Sequence, residues 1–226
     1  MPIDPDATIE ITAFDWVPPF AQGFVRDLRP RWACEELGLA YRERLISAVQ
    51  RPEWYFGDQP WGQVPHLRDG DIAIFESGAT LIHLGEKGAR LLPSSGQGRA
   101  SVLSWLLAAL NSIEPSVFEL SNVDIFSRKE EWAALRRPSL IAMLGQRLDR
   151  LAAALGQGDW LAGSFSIADI AMATVLREAA KGGLLDERPT LAAYLERCTA
   201  RPAFQTALAA QLAPFATHAP PAPAGV

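Results

Sequence analysis

Strand-type patterning in this 226-residue chain ends near residue 87 and does not return. Before that point strand and helix signals alternate. After it every periodic stretch is helical. One sandwich, barrel or bundle cannot satisfy both halves, so the pattern requires an α/β unit followed by an all-α unit.

Residues 8–14 alternate and are β-rich, and Pro18-Pro19 breaks them. Leu28, Trp32, Cys34, Glu35 and Leu37 then lie near helical spacing, with Gly38 as the stop. Asp27 is placed to cap this helix. Pro30 falls at its third position, where a missing N–H costs no helical hydrogen bond. Residues 41–46 read as a second strand. Residues 47–62, rich in Pro, Gly and Trp, read as irregular with one helical turn. Residues 64–68 and 72–75 flank Asp69-Gly70-Asp71, a hairpin signal. Residues 77–85 read as a helix. The order is β-α-β, an irregular stretch, then β-β-α. Strands one and two need a crossover and are parallel, whereas three and four are hairpin-linked and antiparallel. The expectation is a four-stranded mixed sheet with helices on its faces. Residues 88–95 read as a linker. Helices are expected over 101–118, 130–155, 167–181, 191–199 and 203–212, and an Ala/Pro-rich tail over 214–226.

Composition removes several function classes. Lys and Arg total 21 against 26 Asp and Glu, a net charge of −5. That balance lacks the basic footprint of a nucleic-acid partner and a polybasic membrane anchor. No uncharged apolar run reaches the ~18 residues of a membrane span. The opening residues carry acid where a signal peptide needs base, so a cytoplasmic protein is expected. Cys34 and Cys198 form no Cys-x-x-Cys pair, which excludes a dithiol redox motif. His66, His83 and His218 have no cysteine or carboxylate at ligand spacing, so no metal site is expected.

Chemistry concentrates where Gly62-Gln63-Val64-Pro65 enters the hairpin and Glu76-Ser77 leaves it. A cis-proline turn would leave the Val64 N–H and C=O facing outward, able to pair with an extended peptide. A helix N-terminus at Ser77 offers N–H groups and a partial positive charge to a carboxylate, and the Ser77 hydroxyl adds a donor. Glu76, an acid at the sheet end, could hold an ammonium. Val-Pro alone reads as a strand opening and Ser alone as an N-cap. Together, ahead of an all-helical half, they read as a grip on a small peptide.

These residues make the chain resemble a cytosolic glutathione transferase over about residues 8–213. The marks are Arg31-Trp32-Ala33-Cys34-Glu35-Glu36-Leu37-Gly38-Leu39 with Tyr41, Gly62-Gln63-Val64-Pro65, and Asp69-Gly70-Asp71 through Glu76-Ser77. Trp160-Leu161-Ala162-Gly163 and Ser166-Ile167-Ala168-Asp169-Ile170 complete them. The resemblance implies a thioredoxin-like glutathione-binding domain over 8–88, an all-helical domain over 96–213, and a homodimer. It implies that Val64 and Pro65, with Gln63 beside them, hold the cysteinyl part of glutathione, and that Glu76 and Ser77 hold the γ-glutamyl part. Glutathione is then a co-substrate, with no permanently bound cofactor. Ser166-x-x-Asp169 is a capping box, which the resemblance also treats as structural.

Glutathione's thiol titrates near 8.5, so a transferase must stabilise the thiolate. The family does so with a hydroxyl or thiol after the first strand, but residues 13–30 here contain no Ser, Thr, Tyr or Cys. Arg26, Gln22, Trp16 and the backbone N–H groups of residues 21–23 remain. Arg26 carries a permanent charge, which lowers a neighbouring thiol pKa, and it reads equally well as a solvated helix-end charge paired with Asp27. Gln22 and the Trp16 indole offer neutral hydrogen bonds. Arg29 and Arg31 read as surface or linker-facing charges, and Cys34 as a small buried hydrophobe. Trp105, Asn111 and Phe118 could line the pocket for a small hydrophobic electrophile, although aromatics at helical spacing are more often core. The expected activity is conjugation of glutathione to such an electrophile. The alternatives are glutathione-dependent isomerisation or dehalogenation, and a binding module that holds glutathione or a partner without turnover.

Overall fold

The computed structural model describes residues 3–218. The chain forms two compact units, one running to Leu91 and resuming at Arg201, the other Leu92–Ala200.

In the first unit the elements are β1 (Ile9–Phe14), α1 (Leu28–Leu37), β2 (Tyr41–Ile46), α2 (Tyr55–Asp58), β3 (His66–Asp69), β4 (Ile72–Phe75) and α3 (Ser77–Glu86). They build a four-stranded sheet of order β2-β1-β3-β4. β1 runs parallel to β2 and antiparallel to β3, and β3 is antiparallel to β4, the mixed sheet expected from strand order. Gly70 lies between the paired Asp69 and Ile72 at φ 61°, the left-handed conformation that a two-residue hairpin loop needs. Gly38 ends α1 at φ 67° and donates its N–H to Cys34 and Glu35 carbonyls.

The sheet core is Ile9, Ile11, Ala13, Tyr41 and Leu67, continued by Leu28, Trp32, Leu81 and Leu84 from the helices. α1 is buried on nearly every face, with α3 and α9 (Pro202–Thr217) both packed against it. Trp32 and Phe204 meet edge-to-face, with ring centroids 4.8 Å apart. Glu36 accepts two hydrogen bonds from Arg201 at 2.6 Å and one from the Trp32 indole at 3.0 Å. These contacts place α9 with the first unit. Periodicity identifies a helix but not the neighbour it will cover, so the sequence groups it with the other helices. Residues 214–217 also depart from the expected tail. Pro214 lies within α9, whose axis continues to Thr217. The rest of the expected tail, residues 219–226, lies outside the described residues.

The second unit is helical throughout. α4 (Gly96–Leu107) continues through a π-helical segment (Ala108–Ile113), α5 (Glu114–Ser121) and a second π-helical segment (Asn122–Phe126). The first widening immediately precedes Pro115, which has no N–H for the Asn111 carbonyl and whose ring crowds it. Val102, Leu106, Ala109, Ile113, Val117, Leu120 and Val123 form the buried stripe of this run. At 31 residues it is the one helix among the described residues long and apolar enough to cross a membrane. Its buried stripe, its packing on a neighbouring helix and its charges at Arg99, Glu114, Glu119 and Asp124 equally suit a core helix. α6 (Glu131–Leu155), α7 (Ile167–Lys181) and α8 (Pro189–Thr199) complete the unit. α7 opens on the expected capping box between Ser166 and Asp169. Buried Asp169 also accepts the Leu161 N–H at 3.0 Å and the Tyr194 hydroxyl at 2.8 Å. Burial pushes its pKa up against these hydrogen bonds. Its role is to join three segments of the unit.

Candidate functional site

Strand register brings the candidate residues to one end of the sheet. His66 pairs with Phe75 across the hairpin and with Thr12 of β1. Val64-Pro65 therefore enters, and Glu76-Ser77 leaves, beside the same cross-strand pair. β1 ends two residues beyond Thr12, so the loop over residues 15–27 departs from that end too.

The approach to β3 is braced by α2. The Tyr55 hydroxyl donates to the Gln63 carbonyl at 2.6 Å. Buried Gln59 accepts the N–H groups of Trp61 at 2.6 Å and Gln63 at 3.2 Å through Oε1. Asp58, at the end of α2, accepts Arg44 and Arg68, each at 2.8 Å, tying the helix to β2 and β3. Burial opposes ionisation of Asp58, but the two arginines outweigh it and hold the carboxyl below its usual range. Gly62 is at φ 62°, and a Cβ there would lie 2.7 Å from the Phe56 ring. The Val64–Pro65 peptide is cis. No hydrogen bond joins the Val64 N–H or C=O to the described residues. The Gln63 side chain is exposed.

Glu76 has φ 71° and ψ 119°, the one non-glycine residue with positive φ among those described. Such backbone strain persists where surrounding structure imposes it, and it clusters at ligand sites. The Glu76 side chain is exposed, whereas Ser77 is buried at the first turn of α3. Ser77 Oγ accepts a hydrogen bond from Arg29 Nη1 at 2.8 Å. Arg29 and Arg31 are 2% and 1% exposed, which corrects the reading of both as surface charges. Their partners lie on other elements, so no local pattern marks them.

In the loop, Trp16 and Arg26 are half-buried. Gln22 Nε2 donates to the Val17 carbonyl at 3.1 Å, so one amide N–H is committed within the loop. The backbone N–H groups of Ala21 and Gln22 are also engaged, with Pro18 and Pro19 carbonyls. Asp27 holds the N-cap position, but its side chain makes no cap hydrogen bond. It is buried and turned inward, accepting Arg31 Nε at 2.8 Å and Gln211 Nε2 of α9 at 2.7 Å. Burial raises its pKa, opposed by Arg31 and Gln211. Arg31 also pairs with Glu43 of β2. Sequence reading missed Tyr55, Gln59, Arg29 and Gln211. Only a polar residue at a helix's apolar positions, as at Gln211, could have signalled any of them.

Cys34 and Cys198 are buried, and burial pushes the Cys34 thiol up, so neither is presented as a nucleophile. In the helical unit Trp105 is half-buried, and Asn111 and Phe118 are exposed.

The sheet topology and the helix start at Ser77 define a thioredoxin-like domain with the candidate residues at one end of its sheet, and the second unit is all-helical. Family models agree: residues 28–87 match the glutathione S-transferase N-terminal domain and residues 140–202 its C-terminal domain. Glutathione S-transferase 3 of Zea mays is 32% identical over 179 residues, covering 74% of this chain and 79% of that protein. Glutathione S-transferase F10 of Arabidopsis thaliana is 29% identical over 172 residues, covering 71% and 80%. A glutathione transferase from Burkholderia graminis, solved with two glutathione molecules bound per subunit, superposes with a TM-score of 0.78 at 25% identity. That match covers 88% of this chain and 87% of that one. The chain belongs to the glutathione S-transferase family.

Proposed function

We propose that this protein conjugates the glutathione thiolate to a small hydrophobic electrophile. One observation carries the reading: an unpaired main-chain edge at Val64 shares a sheet end with the Glu76–Ser77 helix start. Val64 pairs with the cysteinyl backbone beside Pro65 and Gln63. Ser77 and the N-terminus of α3 hold the γ-glutamyl carboxylate, and Glu76 holds its ammonium. Arg26 stabilises the thiolate, because a permanent positive charge favours the ionised thiol. Gln22 and Trp16 are secondary donors. The protein works as a cytoplasmic homodimer, a reading supported by family membership and by the exposed apolar residues Ile72 and Phe75 on β4.

A chloronitrobenzene conjugation assay run beside retention on glutathione resin tests this. Turnover with retention supports the reading, and loss of both removes it. A binding-only role is the second reading, favoured by the absence of Ser, Thr, Tyr and Cys from residues 13–30. Retention without turnover of any tested electrophile selects it.

A further inference from the structure

α9 buries an amide where an apolar side chain would suffice for packing. Its inward positions are Phe204, Ala207, Gln211, Pro214 and Phe215. Gln211 is 1% exposed, and its Nε2 donates to the Val25 carbonyl at 2.9 Å and to Asp27 Oδ1 at 2.7 Å. Its Oε1 has no partner among the described residues. Both acceptors face the nitrogen, so turning the amide over would set oxygen against oxygen. The orientation is therefore determined, and it leaves an acceptor unsatisfied. A buried polar group that is only partly paired costs stability relative to an apolar one. Docking of α9 does not explain it, since the Trp32–Phe204 contact and the Arg201–Glu36 bridge already attach this helix to α1.

What Gln211 holds is the turn from which α1 begins. The Val25 carbonyl also accepts the Leu28 N–H at 3.1 Å, and the Arg26 carbonyl accepts the Arg29 N–H at 3.1 Å. Residues 25–28 are thus a closed turn with Gln211 as its outside anchor. Arg26 belongs to this turn, and Arg29, one residue beyond it, reaches Ser77. Gln211 also shares the Asp27 carboxylate with Arg31, and the Tyr55 hydroxyl of α2 feels the same charge, so the amide fixes a buried side chain one residue from Arg26.

We infer that Gln211 is a positioning residue for the thiol end of the glutathione site, acting through the Val25–Asp27 turn that carries Arg26. The inference rests on the proposed function, and its test separates the two. Calorimetry and the ultraviolet absorbance of the bound thiolate are followed against pH, with reduced glutathione as the probe. The proteins are the full chain, Gln211→Met and Arg201→Gln. Gln211→Met keeps the side-chain length and loses both donors. Arg201→Gln weakens a second polar link between α9 and α1, the one to Glu36.

Gln211→Met should still bind glutathione, with the bound-thiol pKa higher by about one unit, as when a loosened turn lets the Arg26 charge move away from the sulfur. Its kcat/KM should fall about tenfold at neutral pH and recover at alkaline pH, following the thiolate fraction. Arg201→Gln should lower thermal stability and leave the bound-thiol pKa unchanged. Gln211→Asn, which withdraws the amide by one methylene, supplies the same readout if the Met variant does not fold. A wild-type bound-thiol pKa in the Gln211 variants overturns the inference, as does an equal shift in Arg201→Gln. No binding by the unmodified chain overturns the proposed function instead.

Discussion

Arg29 and Ser77, 48 residues apart in sequence, are joined by a 2.8 Å hydrogen bond from the buried guanidinium to the hydroxyl. The bond crosses from α1 to the first turn of α3 and orients the one side-chain hydroxyl proposed to meet the γ-glutamyl carboxylate. Hydrogen bonds to charged groups contribute about 1.5–3 kcal/mol. Arg29→Met should therefore raise the KM for glutathione roughly tenfold or more, with a smaller effect on kcat at saturation. Steady-state kinetics over a glutathione series checks the split, and an unchanged KM would detach Arg29 from the site.

Glu76 separates binding from stability. Its positive φ costs on the order of 1–3 kcal/mol, which glycine avoids. Glycine returns part of that gain through unfolded-chain entropy, about 0.4–1 kcal/mol. Glu76→Gly should hold or raise the thermal midpoint while weakening glutathione binding. Thermal unfolding and calorimetry on one preparation measure both. A lower midpoint with intact affinity would contradict the assignment.

Asp58 supplies a pH signature. Its carboxyl is held below the usual range despite burial, because Arg44 and Arg68 favour the ionised form. A carboxylate depressed in the fold adds stability above its unfolded pKa of about 3.9 and loses it as pH falls through the folded value. The denaturation midpoints of the unmodified chain and Asp58→Asn should differ by a constant amount from pH 7 down to about pH 4 and converge only below it. A gap that persists unchanged as pH falls well below about 4 would show that the ion pairs contribute nothing pH-dependent.

Asp169 tests architecture apart from chemistry. It accepts from the Ser166 N–H at 2.9 Å, the Ser166 hydroxyl at 3.0 Å, the Leu161 N–H and the Tyr194 hydroxyl. Asp169→Ala strands these buried donors, at about 1–3 kcal/mol for each left unsatisfied. The variant should unfold several degrees earlier yet keep its glutathione affinity at low temperature. Lost affinity in the folded variant would assign Asp169 a part in binding.

The hairpin, the β1–α1–β2 crossover and the Ser166 cap were legible because each is written in local periodicity or turn chemistry. β2 and β4 even keep their expected bounds, Tyr41–Ile46 and Ile72–Phe75. Residues Gln63, Val64, Pro65, Glu76 and Ser77 were legible as a set because strand order alone sends them to one sheet end. Illegible were the groups that act across long sequence separations. Arg29 looks like any helix charge until α3 covers it. Gln211 looks like a surface amide until α9 folds back onto α1. Asp27 has a cap residue's sequence position, but two buried donors draw its side chain inward. The π-helical segment before Pro115 was hidden too, since it shifts a helix's register rather than ending it.

The proposed activity requires that one tripeptide thiol be clasped between Val64 and Ser77. Titration calorimetry with millimolar reduced glutathione, on the unmodified chain and on Ser77→Ala, tests that most directly. Saturable binding by the first, weakened tenfold or more in the second, is the predicted result, matching loss of a charge-assisted hydrogen bond of about 1.5–3 kcal/mol. No heat from the unmodified chain, or equal affinity in both, would contradict it.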